Sequence, residues 1–322
     1  MKKIFKLSML TFALMLILLS ILFSGRISIY YKVFKKYSNY TGTVTSASFQ
    51  KKSLEASDAQ EIIYKSTNNT PLTLDLYKPD KMISQGSPVL IFVHGGSWAY
   101  GDKSLPPIFN PLLEALCEEG YSIISVEYEL LDESLDFDKQ ISDIKDSIRW
   151  VNKNKDLYNF NAEEIGVIGV SAGAHLSLLS AYSDSNDFVD DEELAKFPCD
   201  IKYLIDFSGP TDLSTLDTSI APEMMTSRIK AMSNKDEFMA KYSPIYFVKE
   251  GLPKTLIIHS EDDTMVPYIN SLALYSKSKD FNNSVDFLTV QDTDHDLSNL
   301  TEENSQKIAL RILTFIVNNF PL

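Results

Sequence analysis

The sequence predicts an α/β protein: a mostly parallel sheet with helices on both faces. Three observations carry that expectation. Apolar runs of strand length alternate with stretches whose apolar residues recur at helical spacing. One run, VLIFV at 89–93, is apolar at every position, as a strand buried on both faces requires. A Gly-rich turn at 169–173 leads straight from a strand-like run into a helix-like one, the β–α step of a parallel sheet.

The elements follow in chain order. Strands are expected at 62–65 and 72–77, joined by a turn at Asn68 and Asn69; the second, LTLDLY, alternates apolar and polar like a half-solvated antiparallel edge. After VLIFV comes a helix over 111–119, ended by Gly120, and a strand over 122–128. The segment 137–153 spaces Ile141, Ile144, Ile148 and Val151 as a helical stripe. A strand over 165–170 meets the turn, and 172–182 continues as a helix. Further strands are expected at 203–207, 255–259 and 285–290, and further helices at 268–278 and 302–320. Two stretches interrupt the alternation. The acidic segment 183–200 reads most simply as a solvated loop, but it follows a core element and could cover the carboxyl end of the sheet, where its charge would disfavour anionic substrates. The segment 211–242, with Met224, Met225, Met232 and Met239, reads as a cap-like insertion, because Met-rich apolar surface is adaptable.

Composition narrows the class. With 322 residues, 44% hydrophobic, the chain can bury a full core without disulfides. The net charge is −14, but residues 1–36 hold seven basic side chains and no acid, so the remaining 286 residues carry 23 basic against 44 acidic groups. A body that acidic repels phosphate backbones, so nucleic acid is not an expected partner. The uncharged stretch 7–25, LSMLTFALMLILLSILFSG, would span roughly 28 Å as a helix, close to the hydrocarbon core of a bilayer. It is expected to be an uncleaved membrane anchor, or else a cleaved secretory signal. Tyr30, Tyr31, Lys32, Lys35 and Lys36 would suit the interface, and residues 37–58 read as a polar spacer ahead of one catalytic domain at 59–322. The expected location is therefore the cell membrane, with an extracytoplasmic catalytic domain, or outside the cell. Cys117 and Cys199 lack metal-ligand spacing to histidine and read as apolar core residues; no metal or cofactor is expected.

The chemistry gathers around Gly169-Val170-Ser171-Ala172-Gly173. In this G-x-S-x-G pattern a tight strand-to-helix turn holds the serine hydroxyl exposed, and the residues two positions either side must be small. The hydroxyl needs a general base. There are four histidines. His94 opens a Gly-rich turn and reads as its brace, His175 lies inside the helix after Ser171 and reads as a packing residue, and His259 ends a strand. His295, in a polar loop after the last strand, leaves room for an acid earlier in the chain and is the expected base. The acid belongs in LIIHSEDDTMVP, 256–267, where Glu261, Asp262 and Asp263 are adjacent; Asp263 is favoured by its place before the Val266-Pro267 turn, with Asp212 as runner-up and Asp206 inside a strand. Oxyanion donors are expected on the amides of Gly96, Ser97 and Ala172, and Trp98 is expected to line the substrate pocket.

The stretches HGGSWAYGDK (94–103), 126–151, GVSAGAHL (169–176), YSPIYFV (242–248) and LIIHSEDDTMVP (256–267) resemble the α/β-hydrolase superfamily, in its carboxylesterase branch that includes feruloyl/acetyl-xylan-esterase-like and hormone-sensitive-lipase-like enzymes. The resemblance implies an α/β-hydrolase fold over about residues 60–320, a catalytic triad of Ser171, Asp263 and His295, and ester hydrolysis without a cofactor. The implied substrates are small acyl or carbohydrate-linked esters. A peptidase or amidase would use the same triad, and a non-catalytic adhesion or binding protein would normally have lost part of it. Ser97 replaces the third Gly of H-G-G-G, Val170 the Asp before the serine, Ala174 a Gly after it, and Glu129 the Arg of Y-R-L, so a structural Arg is missing.

Overall fold

The computed structural model describes residues 24–38, 59–67, 70–132, 135–216, 223–297 and 299–319. In chain order the elements are α1 (Ser24–Ser38), β1 (Ala59–Thr67), β2 (Thr70–Tyr77), β3 (Ser87–Val93), α2 (Asn110–Glu118), β4 (Ser122–Val126), α3 (Phe137–Lys153), β5 (Phe160–Val170), α4 (Ala172–Tyr182), β6 (Tyr203–Phe207), α5 (Glu223–Ala231), α6 (Lys235–Lys241), β7 (Lys254–Ser260), α7 (Tyr268–Asp280), β8 (Val285–Val290) and α8 (Glu302–Asn319). The strands form one sheet in the order β1-β2-β4-β3-β5-β6-β7-β8. β1, β2 and β4 pair antiparallel, and every pair from β4 to β8 is parallel. The VLIFV run shows why the sheet is covered twice. Val89, Ile91 and Val93 enter the core that packs on α3 and α4, while Leu90 and Phe92 enter the core that packs on α2 and α8. Cys199 belongs to the first core and Cys117 to the second; both are free thiols, separated by the sheet.

Helix ends matched the expected bounds at α3, which carries a one-sided apolar stripe, and at α4, which is buried along nearly its whole length. Strand ends differed where side chains are polar. β5 starts at Phe160 with a half-exposed lead that pairs with Ser87 before a register shift. β4 stops at Val126 because Tyr128 turns away to stack on His94, with ring centroids 4.2 Å apart. Residues 68 and 69, the expected turn, lie outside the described residues, but Thr67 pairs with Thr70.

Two expectations about placement need correction. The acidic segment 183–200 does not cover the carboxyl end of the sheet. α4 runs back from the serine turn, so the chain that leaves it emerges at the opposite end of the strands. There Lys145 Nζ donates to the carbonyls of Asp184 and Asp187, at 2.5 and 3.0 Å, and Arg149 donates to that of Ser185 at 2.6 Å. Farther along, Asp190 reaches Lys65 of β1 at 3.0 Å. The 211–242 segment does follow a strand at the carboxyl end. Its helices α5 and α6 bury Ile229 and Met239, and Phe238 and Tyr242 pack on Phe137 at the start of α3.

The expected membrane segment divides. Residues 1–23, which hold nearly all of the apolar run, lie outside the described residues. Ser24–Ser38 is a helix docked on the body, not a solvated flank. Ile29, Val33 and Tyr37 are buried beside residues of α2 and α8, each aliphatic side chain worth about 1.5–3 kcal/mol of burial. Lys32 and Lys36, expected at a lipid interface, form ion pairs with Glu118 and Glu119 and with Glu114 and Glu118. Tyr37 Oη donates to the Ile108 carbonyl at 2.6 Å. Among the described residues, no helix is long and apolar enough to cross a membrane.

Candidate active site

Ser171 sits between β5 and α4 with φ 53° and ψ −119°, a strained conformation held by the elbow itself. Its amide donates to Phe207 O on β6 at 2.8 Å. The small neighbours are obligatory. A Cβ at Gly173 would lie 2.3 Å from His94 O and 2.4 Å from Val93 O, and one at Gly169 would lie 2.6 Å from Ala174 Cα. These approaches bring the turn against the loop after β3.

The elbow meets two loops from the carboxyl ends of β7 and β8. Ser171 Oγ lies 2.8 Å from His295 Nε2, and His295 Nδ1 lies 2.7 Å from Asp263 Oδ2. The Asp263 side chain is closed to solvent. Burial opposes its ionisation, but hydrogen bonds from His259 and His295, the charge of His295 and the Val266 amide hold its carboxyl well below the usual range. The anion fixes Nδ1 of His295 as the N–H and leaves Nε2 to accept from the serine. The two loops are stitched together. Asp294 accepts from the Thr264 amide and hydroxyl, Ser260 donates to Thr293 O, and Asp262 accepts from the Asp292 amide.

Structure thus separates the adjacent acids. Glu261 accepts from Gln291 and Asp262 from the backbone, and only Asp263 reaches His295. Asp212 is engaged by Ser214 at the start of a short 3-10 turn. Asp206 is buried within β6, as expected, and burial lifts its carboxyl to about 7 against the lowering effect of the Gly209 amide.

The loop after β3 presents backbone toward the serine. Gly96 has φ 124°, and a Cβ there would lie 2.0 Å from Tyr100 O, so glycine is required. Ser97 and Trp98 are left-handed at φ 48° and 63°. The Trp98 carbonyl anchors the loop, accepting from Gln140 Nε2 and the Leu131 amide, both at 2.9 Å. His94 braces it by donating from Nδ1 to Gly95 O at 2.7 Å. Ala172 opens α4, where a helix amide has no intrahelical acceptor.

A family model, BD-FAE, matches residues 74–278, well over half the chain, from β2 through the elbow and acid loop into α7. The chain belongs to the BD-FAE family. This BD-FAE chain is similar to Esterase LipQ of Mycobacterium tuberculosis, at 30% identity over 64% of this chain and 49% of that protein. It is also similar to Esterase LipC of the same organism, at 26% over 60% and 49%. A probable isoprenylcysteine alpha-carbonyl methylesterase of Oryza sativa is 25% identical over 61% and 48%. The chain spans about half the length of these curated relatives. Among solved structures, esterase 2 of Thermogutta terrifontis superposes with TM-score 0.67 at 20% identity, over 83% of this chain and 95% of that one. A truncated carbohydrate esterase from gut microbiota gives 0.66 at 23%, over 82% and 98%. These two likenesses establish the α/β-hydrolase fold.

Two positions of the BD-FAE chain depart from expectation. Trp98 does not present its ring at the site. The indole is only 4% exposed, stands edge-on to Phe137 and His175, and donates from Nε1 to His175 Nδ1 at 3.0 Å. Its left-handed backbone turns the side chain into the core. His175 in turn donates from Nε2 to Tyr242 O at 2.7 Å, and burial holds it neutral, at about 4. The second position is His259, which sequence reasoning set aside as a strand end. Its ring touches Asp263. The legible signal was its spacing, four residues ahead of the acid across the strand-to-loop turn.

Proposed function

We propose that this protein is a serine carboxylesterase acting on small acyl esters, carbohydrate-linked esters among them, through an acyl-enzyme. The observation that carries the reading is the unbroken relay from Ser171 Oγ to His295 to Asp263, at 2.8 and 2.7 Å. In this mechanism His295 Nε2 takes the serine proton as Oγ attacks the ester carbonyl carbon. Asp263 stabilises the resulting imidazolium and stays ionised. The amides of Gly96, Ser97 and Ala172 receive the oxyanion. His295 returns the proton to the departing alcohol oxygen. Water, deprotonated by the same nitrogen, then attacks the acyl carbon, and the carboxylic acid leaves Ser171.

The names of the relatives support the ester class, and the gut carbohydrate esterase supports the carbohydrate option. The proposed location is extracytoplasmic, at the membrane or secreted. It rests on the apolar run 7–25 with its basic flanks. The test is hydrolysis by the full chain of p-nitrophenyl esters of graded length, acetylated and feruloylated sugars, and peptide amides. Ester turnover that is lost in Ser171→Ala supports the proposal. Turnover of peptides alone would select an amidase, and activity surviving in Ser171→Ala would overturn the nucleophile.

A further inference from the structure

Asp263 serves two imidazoles. Its Oδ2 lies 2.7 Å from His295 Nδ1 and 3.0 Å from His259 Nε2. Its Oδ1 is occupied by the amides of Met265 and Val266, at 2.9 and 2.7 Å. His259 Nε2 also faces the Val266 carbonyl at 3.1 Å. Two acceptors face that nitrogen, so it carries the hydrogen. Nδ1 then offers a lone pair, and Ser271 on α7 donates to it at 2.6 Å. The His259 side chain is fully buried, with Tyr268 edge-on at 5.7 Å. Asp263, Ser271, Tyr268 and the Val266 carbonyl therefore hold this ring in one tautomer and one orientation.

We infer that His259 is a positioning residue of the site: its Nε2–H fixes Oδ2 of Asp263 and divides the carboxylate charge between two imidazoles. The inference rests on the esterase reading above. A carboxylate that accepts a neutral N–H at the same oxygen binds a second donor less strongly. His259 thereby sets how much of the carboxylate's charge is left to His295. The same bond keeps the carboxylate from rotating away from His295.

The test measures kcat/KM for p-nitrophenyl acetate against pH with the full chain and its His259→Leu and His259→Gln variants. In His259→Leu the carboxylate is undivided, so the acid limb moves to higher pH by about half a unit or more. Lost positioning lowers kcat about tenfold. His259→Gln, whose amide N–H can reach Oδ2, returns the limb toward the parent. A purely structural role would lower stability without moving the limb. An acid limb in His259→Leu that coincides with the parent's overturns the inference. If His259→Leu does not fold, as judged by circular dichroism, Ser271→Ala reads the same limb: a small upward move supports the inference, and no move overturns it. Titration of the His295 ring protons by NMR reports the shift without turnover. An inert parent therefore overturns the esterase reading, while the NMR shift still decides the role of His259.

Discussion

Lys65 Nζ lies 2.9 Å from Asp146 Oδ2, and both side chains are closed to solvent. Asp143 at 2.7 Å and Asp190 at 3.0 Å complete the cage. Asp143 also accepts from the Glu129 amide, at the position where the resembling family carries an Arg. The cation of this cage comes from the edge strand β1. Lys65→Met takes the cation from buried Asp143, while Asp146 keeps Arg149 at 2.8 Å, and is expected to cost about 3–5 kcal/mol in urea unfolding. A cost below about 1 kcal/mol would show that the cage is not structurally important.

Asp263→Asn is expected to lower kcat by about 10⁴-fold, because an amide can no longer hold the imidazolium and favours the wrong tautomer. Asp212→Asn serves as the control and should stay within about twofold of the parent, since Asp212 faces Ser214. The reverse ranking in steady-state ester assays would reassign the acid.

Gly96→Ala forces a Cβ against the Tyr100 carbonyl at a φ of 124°. Displacing the loop removes oxyanion donors, an expected loss of about 10²–10³-fold in kcat. Unchanged turnover with unchanged melting would place the donors elsewhere.

Asp206 supplies a pH signature. Its folded carboxyl titrates near 7, above the ordinary value of 3.8. The folded state binds the proton more tightly, so this contribution to stability is complete below the unfolded value and is lost as pH rises through about 7. Asp206→Asn should remove that loss. The stability difference between variant and parent, from denaturant titrations at pH 4 and pH 7.5, should grow in favour of the variant as pH rises. A constant or shrinking difference would refute the burial argument.

His175 ties the loop after β3 to the 211–242 segment through Trp98 and Tyr242. His175→Phe orphans the indole N–H and the Tyr242 carbonyl, for an expected cost of about 2 kcal/mol, read from the melting midpoint. A variant as stable as the parent would show that neither group needs its partner.

Legibility in the sequence followed periodicity and chain order. The Ile141-Ile144-Ile148-Val151 stripe and the strand–turn–helix around Ser171 are local signals; the two helices they marked formed with the expected bounds, while the strand starts five residues earlier, at Phe160. His295 was found by elimination, because only four histidines exist and the order of roles along the chain left one. Two other relationships are long-range: the choice of acid had one local cue, the Val266-Pro267 turn that favoured Asp263, and the direction of Trp98 had none. Which of Glu261, Asp262 and Asp263 meets His295 depends on how two loops are stitched, and the inward turn of Trp98 depends on a left-handed backbone beside Ser97. The acidic segment 183–200 leaves α4 on the side away from the serine turn, a direction that composition alone does not carry.

The docking of α1 puts both neighbours of residues 39–58 in one body. As a link between a membrane segment and a separate body, twenty extended residues could swing the catalytic domain over roughly 70 Å. Both ends of that stretch instead belong to the same packed body, α1 on one side and β1 on the other. Whatever residue 24 is attached to is therefore joined, through α1, to the same body that holds Ser171, as a handle is joined to a blade.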